Sequence, residues 1–180
     1  MAIAVIAIIV VLVLWVVSEQ RRLVVMDENI TNAMSQIGVQ LSSRWDALTA
    51  LLDLTKGYAE HEYKTISDTI KMRTSIGAKS TAKDVNEQEN IITEAMGKIM
   101  AVAESYPELK ANENYIKIMD SVNEYEEMVR KSRLVYNDSV TKLNRTIRMF
   151  PTSIAAALLH IESRDYLETD TKKADMPNLK

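Results

Sequence analysis

The sequence predicts an all-α chain: an N-terminal transmembrane helix continuous with a long antiparallel helical bundle of three main helices, plus a short C-terminal helix. Three observations lead there. The first 17 residues, Met1 to Val17, are apolar and carry no charge. From Leu23 onward apolar residues recur in steps of three and four, the spacing that gathers one face of a helix. Only 4 Gly and 3 Pro punctuate 180 residues, with none of the prolines before Pro107, so turns are few and helices long. The chain divides accordingly into an anchor at 1–17, a bundle at 18–165 and a polar tail at 166–180 that can bury too little to order itself.

The apolar run would rise about 26 Å as a helix, slightly short of a hydrocarbon core of about 30 Å. Trp15 falls where an interfacial aromatic belongs. Val and Ile are modest helix formers in water, but in lipid the backbone must satisfy itself internally and a single span can do so only as a helix. A cleaved signal peptide would carry Lys or Arg before the run and a small-x-small site after it. The run instead starts at Met1 and ends Val16-Val17-Ser18-Glu19, so residues 1–17 are expected to stay and to contact lipid. Arg21 and Arg22 follow with no basic side chain before them, which favours an outside N-terminus and a cytoplasmic bundle.

Beyond the run, Leu23, Met26, Ile30, Met34, Ile37, Leu41, Trp45, Leu48 and Leu52 form one stripe, opposite a face with Glu28, Asn32, Gln36, Asp46 and Asp53. The stripe weakens from Thr55 to Glu62 and resumes at Ile66 and Ile70. The expectation is one helix from about Glu19 to Ile76, reaching about 85 Å from the membrane. Gly38 and Gly57, each weakening that helix, suggest close approach of a neighbouring helix. Gly77 marks the first break. Thr81, followed three residues later by Asp84, caps a second helix that ends at Tyr106-Pro107, because the residue before a proline is pushed out of the α region. Asn112 caps a third helix with a stripe through Tyr115, Val122, Val129, Tyr136, Val140, Leu143, Ile147 and Phe150, closed by Pro151. Arg145 and Arg148 complement its dipole. Thr152 or Ser153 would cap a last helix, Ile154 to about Ile161. Three passes, up, down and up, would leave that helix at the far end from the anchor, docked on the bundle or on a second copy.

Candidate chemistry is sparse. The absence of Cys excludes disulfides, thiolate nucleophiles and Cys-ligated zinc. A net charge of −3 offers no basic field, so no nucleic-acid partner is expected. His61-Glu62 opens like an HExxH metalloprotease motif, but the position four past His61 is Thr65 and the second ligand is missing. His61 and His160 are the two histidines and stand far apart in the chain. Four dispersed glycines build no phosphate loop. The acidic clusters read as solvated faces, with Glu126–Arg130 and Glu127–Lys131 as i,i+4 pairs. Sequons at Asn29, Asn137 and Asn144 fall inside helices and read as accidental. The expectation is therefore no catalytic residue, no cofactor and no metal. Ser35, Gln36 and Gln40 on the first helix, with Tyr136, Asn137 and Asn144 on the third, are the candidate registry or interaction residues, since polar groups near a seam fix register by hydrogen bonding across it.

Four blocks carry a resemblance: Ala33–Asp46, Lys56–Glu62, Ala101–Asn114, and Tyr136–Val140 with Phe150-Pro151. In order and spacing they resemble the LemA family of bacterial membrane proteins over nearly the whole chain. The resemblance implies a single-pass anchor in the bacterial cell membrane and an elongated helical bundle, with a loosely defined biochemical role. The chain departs from the family pattern at Gly38, where an Asp is usual, at Ser42 and Ser43, where basic residues are usual, and at Thr49-Ala50, where a Pro-Asn pair would kink the helix. The functional expectation is a non-catalytic membrane-anchored scaffold or interaction protein, a homo-oligomer or an organiser of other membrane proteins. The alternative is a sensory or regulatory module transmitting a signal along the first helix, which would need a ligand pocket or a bistable element.

Overall fold

The computed structural model describes residues 1–167, and its regular structure is all helix, with no strand among the described residues. Six helices follow in order: α1 (Ala2–Thr55), α2 (Glu60–Ile70), α3 (Ala82–Ser105), α4 (Pro107–Lys110), α5 (Glu113–Arg148) and α6 (Thr152–Leu158). The all-α fold and the long apolar N-terminal helix are as the sequence predicts.

Helix α1 changes character along its length. Met1 to Leu14 are exposed on every side, and cover begins at Trp15 and Val16, which are half-buried. From Leu23 on, the predicted stripe turns inward: Leu23, Ile30, Met34, Ile37, Leu41, Trp45, Leu48 and Leu52 are buried, with Met26 packed against them. α1 stays helical through Thr49-Ala50, where no proline interrupts it.

The expected helix to Ile76 does not form, because α1 stops at Thr55. Here the apolar stripe fades and Gly57 lowers helix propensity by about 1 kcal/mol relative to Ala, so a tight turn competes successfully. Tyr58 and Ala59 N–H both donate to Thr55 O, at 2.9 and 3.0 Å, and buried Thr55 donates its own hydroxyl to Leu52 O at 2.7 Å. The reach beyond Val17 is therefore about 57 Å, 38 residues at 1.5 Å each, rather than about 85 Å.

This extra reversal changes the topology. α2 descends beside α1, bringing Arg73 to Asp46 at 2.7 Å and the carbonyl of Ile76 against Gly38. α3 climbs again, with Lys98 Nζ reaching Thr69 Oγ1 at 3.2 Å and the Tyr106 ring meeting Tyr58 at 5.9 Å. The short link expected at 107–111 contains one helical turn, α4, opened by Pro107. α5 then descends along α1. The path is up, down, up and down, so α6 lies at the anchor end and not at the far end: Thr152 Oγ1 donates to Glu19 Oε2 at 3.2 Å.

Other local expectations divide. Thr81 and Asp84 form the capping box, with Thr81 Oγ1 accepting from Asp84 N–H at 3.2 Å and Asp84 Oδ2 accepting from Thr81 N–H at 2.7 Å. Asn112 Oδ1 accepts from Asn114 N–H at 2.8 Å and caps α5. Gly38 is a close approach, but of a loop: a Cβ there would stand 2.0 Å from Ile76 O. Gly57 has open space around its Cβ direction and serves the turn instead. Neither Thr152 nor Ser153 caps α6; Pro151 holds that position, and the helix runs from Thr152 to Leu158 instead of reaching Ile161. It ends in a Schellman arrangement, Ile161 N–H to Ala156 O at 3.0 Å and His160 N–H to Ala157 O at 3.3 Å, with His160 at φ 53° where glycine is usual. Phe150, placed on the core stripe from its spacing, is exposed because α5 has ended by then. Of the tail, Leu167 is buried in the core rather than loose, and the expectation for 168–180 lies outside the described residues.

Candidate functional site

Half of the six polar residues singled out from the sequence converge on one structure. After α6 the chain turns back along α5, and the segment Ile161–Leu167 lies in the seam between α5 and α1 as a strap. Asn144 Nδ2 donates to Arg164 O at 2.9 Å while Arg164 N–H donates to Asn144 Oδ1 at 2.9 Å. Asn137 repeats the arrangement on Leu167, with both bonds at 2.9 Å. Between them Tyr136 Oη donates to Asp165 O at 3.1 Å, and burial pushes its phenol above the ordinary range. Each carboxamide thus offers a donor and an acceptor to the same residue's main chain, as a neighbouring strand would.

The spacing explains why two asparagines suffice. Asn137 and Asn144 are seven residues apart, a rise of about 10.5 Å along a helix. Arg164 and Leu167 are three apart, about 10 Å in an extended chain. One heptad of α5 therefore matches three residues of a nearly straight strap running antiparallel to it. Side chains secure the rest: Leu167 is buried, and Arg164 reaches across to Asp27 of α1 with Nε at 3.1 Å and Nη2 at 2.8 Å. The carboxamides of the Asn137 and Asn144 sequons are thus engaged in these clamps.

The other three candidates are not brought into this site. Ser35 Oγ donates to Thr31 O one turn back, at 3.0 Å, a local bond with no bearing on register. Gln36 is exposed and Gln40 half-buried, and among the described residues neither bridges the seam.

Polar residues outside those six candidates also bridge helices. Buried Arg44 donates to Glu126 Oε2 at 3.1 Å and so ties α1 to α5, while Glu127 takes both Arg130 at 2.8 Å and, as the i,i+4 spacing predicts, Lys131 at 3.7 Å. Burial lowers the Arg44 guanidinium below its ordinary range, opposed by the Glu126 charge. Arg133 of α5 pairs with Glu89 of α3 and reaches Asn86 at 3.4 Å. Gln88, almost fully buried, accepts from Thr74 N–H at 2.9 Å and so pins the loop between α2 and α3. A signal existed for two of these: Arg44 continues the spacing of Leu41 and Leu48, and Gln88 that of Val85 and Ile92, so both fall on inward faces.

A shallow cleft of about 290 Å³ lies between α1 and the 73–77 loop, lined by Ser35, Gly38, Ser42, Trp45, Arg73 and Ile76. Arg73 closes it by donating to Asp46 at 2.7 Å and Ser42 at 2.8 Å. Among the described residues no three His, Asp or Glu gather as a metal site would require. The polar groups of the seam hold main chain to helix, which is the chemistry of assembly.

The geometry defines a helical bundle built on a helix long and apolar enough to cross a membrane, with a main-chain-binding seam on its fifth helix. The chain belongs to the LemA family, whose model matches residues 33–180. No curated protein matches it.

Proposed function

We propose that this chain is a membrane-anchored, non-catalytic scaffold or interaction protein of the bacterial cell membrane that associates with itself or organises other membrane proteins. The observation that carries this reading is the continuity of α1, which runs without a helix break from the exposed apolar residues 1–14 into the buried stripe from Leu23 to Leu52. A helix that supplies both span and core face couples the two rigidly, so the bundle is presented at a fixed attitude to the bilayer. Its outer faces are long, polar and laced with short-range ion pairs such as Lys98–Glu94 at 2.6 Å and Lys142–Asp138 at 2.7 Å, which keep the bundle solvated along its length. Arg21 and Arg22 support a cytoplasmic bundle.

Crosslinking of the full-length protein in native membranes tests the proposal, read together with its size in mild detergent. Expected are discrete adducts containing a second copy or another membrane protein. A strictly monomeric protein that yields no adduct overturns it. Protease digestion of the bundle in inverted vesicles but not in intact cells is expected for the cytoplasmic orientation, and digestion in intact cells reverses it.

A further inference from the structure

Helix α6 is packed inside out for a protein end that meets water. Its inward side is small, with Thr152, Ala155 and Ala156 buried, whereas Phe150, Ile154 and Leu158, spaced four residues apart, stand 81%, 50% and 66% exposed. Met149 beside them is exposed as well. Scattered exposed apolar residues need no explanation, but a row of large ones over a layer of small ones reverses the order that burial in water favours.

Its position supplies one. Thr152 is hydrogen-bonded to Glu19, two residues past the end of the apolar run and so about 3 Å further along the helix axis. Headgroup regions extend about 5–8 Å beyond the hydrocarbon on each side of a bilayer. The first turn of α6 is therefore at headgroup depth. Exposed Arg21 and Arg22 follow the span on α1, and exposed Arg145 and Arg148 arrive at the same end on the last turn of α5. Aromatic and aliphatic side chains ringed by arginines are the composition of a surface that lies on anionic lipid.

We propose that the Phe150 turn and α6 form a second membrane contact, resting on the bilayer beside the span with Phe150, Ile154 and Leu158 inserted at the headgroup–acyl boundary. This rests on the reading of residues 1–17 as a membrane span. Together the two contacts hold the bundle at two points, which fixes its tilt.

The chain has no cysteine, so single-cysteine variants of the full-length protein report position directly. Phe150→Cys and Leu158→Cys, with Ile9→Cys as a span control and Met100→Cys as a control remote from the anchor, are spin-labelled in vesicles of phosphatidylcholine with a minority of phosphatidylglycerol. Collision with oxygen and with a water-soluble nickel chelate gives depth. Expected are labels at 150 and 158 about 5–10 Å into the boundary, with oxygen favoured over nickel several-fold more than at 100. Labels at 150 and 158 as open to nickel as at 100, while that at 9 is deep, overturn the second contact and leave the anchor standing. A label at 9 open to nickel overturns the anchor itself. Labels at 150 and 158 shielded from both quenchers mean that another protein copy covers α6, and this too overturns the inference.

Discussion

The two ends of the bundle are closed by short turns of similar length and opposite chemistry. At the distal end Leu109 is fully buried, the Tyr58 and Tyr106 rings meet tilted at 55°, Lys56 lies over the Tyr63 ring at 5.6 Å, and Asn112 caps α5. Apolar surface there is tucked under rings and stems whose polar tips face out. At the proximal end alanines fill the inside while Phe150, Ile154 and Leu158 point away. An end sealed in this way is suited to water; the other is completed by lipid. The contrast teaches that one sequence can write two solvents into its two ends, separated by about 57 Å of helix.

Five substitutions would break or sharpen that contrast. The largest effect is expected from Leu109→Ala at the sealed end, a loss of about 2–5 kcal/mol for a fully buried leucine, read from thermal melts in mild detergent. Little change would mean that the distal end is not a packed closure. Next comes Asn144→Ala, which leaves the Arg164 N–H and C=O without their partner. A loss of about 1–3 kcal/mol is expected, with hydrogen exchange accelerating first in the strap. Unchanged protection there would show that Leu167 and not the carboxamides secures it.

Thr81→Ala, between the two ends, should cost about 0.5–2 kcal/mol through loss of the cap. Its partner Asp84 adds a pH signature. Hydrogen bonds from Thr81, backbone first, hold the Asp84 carboxyl below its usual range. Its folded pKa therefore lies below the unfolded value of about 3.9, so its contribution is complete above that pH and is lost as pH falls through the folded value. Compared with wild type, Asp84→Asn should lose stability near neutrality and converge with it in acid. A gap that persists in acid would place the effect elsewhere than in the charge. The smallest effect on folding is expected at the lipid end: Phe150→Ser should stay within about 0.5 kcal/mol in detergent melts. A drop as large as that of Leu109→Ala would make Phe150 a core residue and erase the contrast.

Much of the fold was legible in residue order. The stripe from Leu23 to Leu52, the Thr81–Asp84 box, the stop at Pro107 and the Asn112 cap all depend on groups within about four residues of one another, and all are where spacing puts them. The fading stripe at Thr55–Glu62 is visible too, but fading alone marks a weak patch in a continuous helix as readily as a reversal. Asn137, Asn144 and Tyr136 stand out in the sequence as polar groups at a seam, whereas their partners, main chain some twenty to thirty residues downstream, have no mark in it. Ser35 shows the converse, since the same kind of position is satisfied by the previous turn of its own helix.

Periodicity and capping therefore decide which residues are helical and which face turns inward, because those forces act within a turn or two. The direction of each pass, and with it the side of the molecule on which α6 lies, was decided only in three dimensions. One added turn at Lys56–Ala59 inverts everything after it, and its local preference is worth only about 1 kcal/mol. Packing of α2 beside α1 and α3 makes that turn the favoured one, and so brings α6 back to the end at which the chain begins.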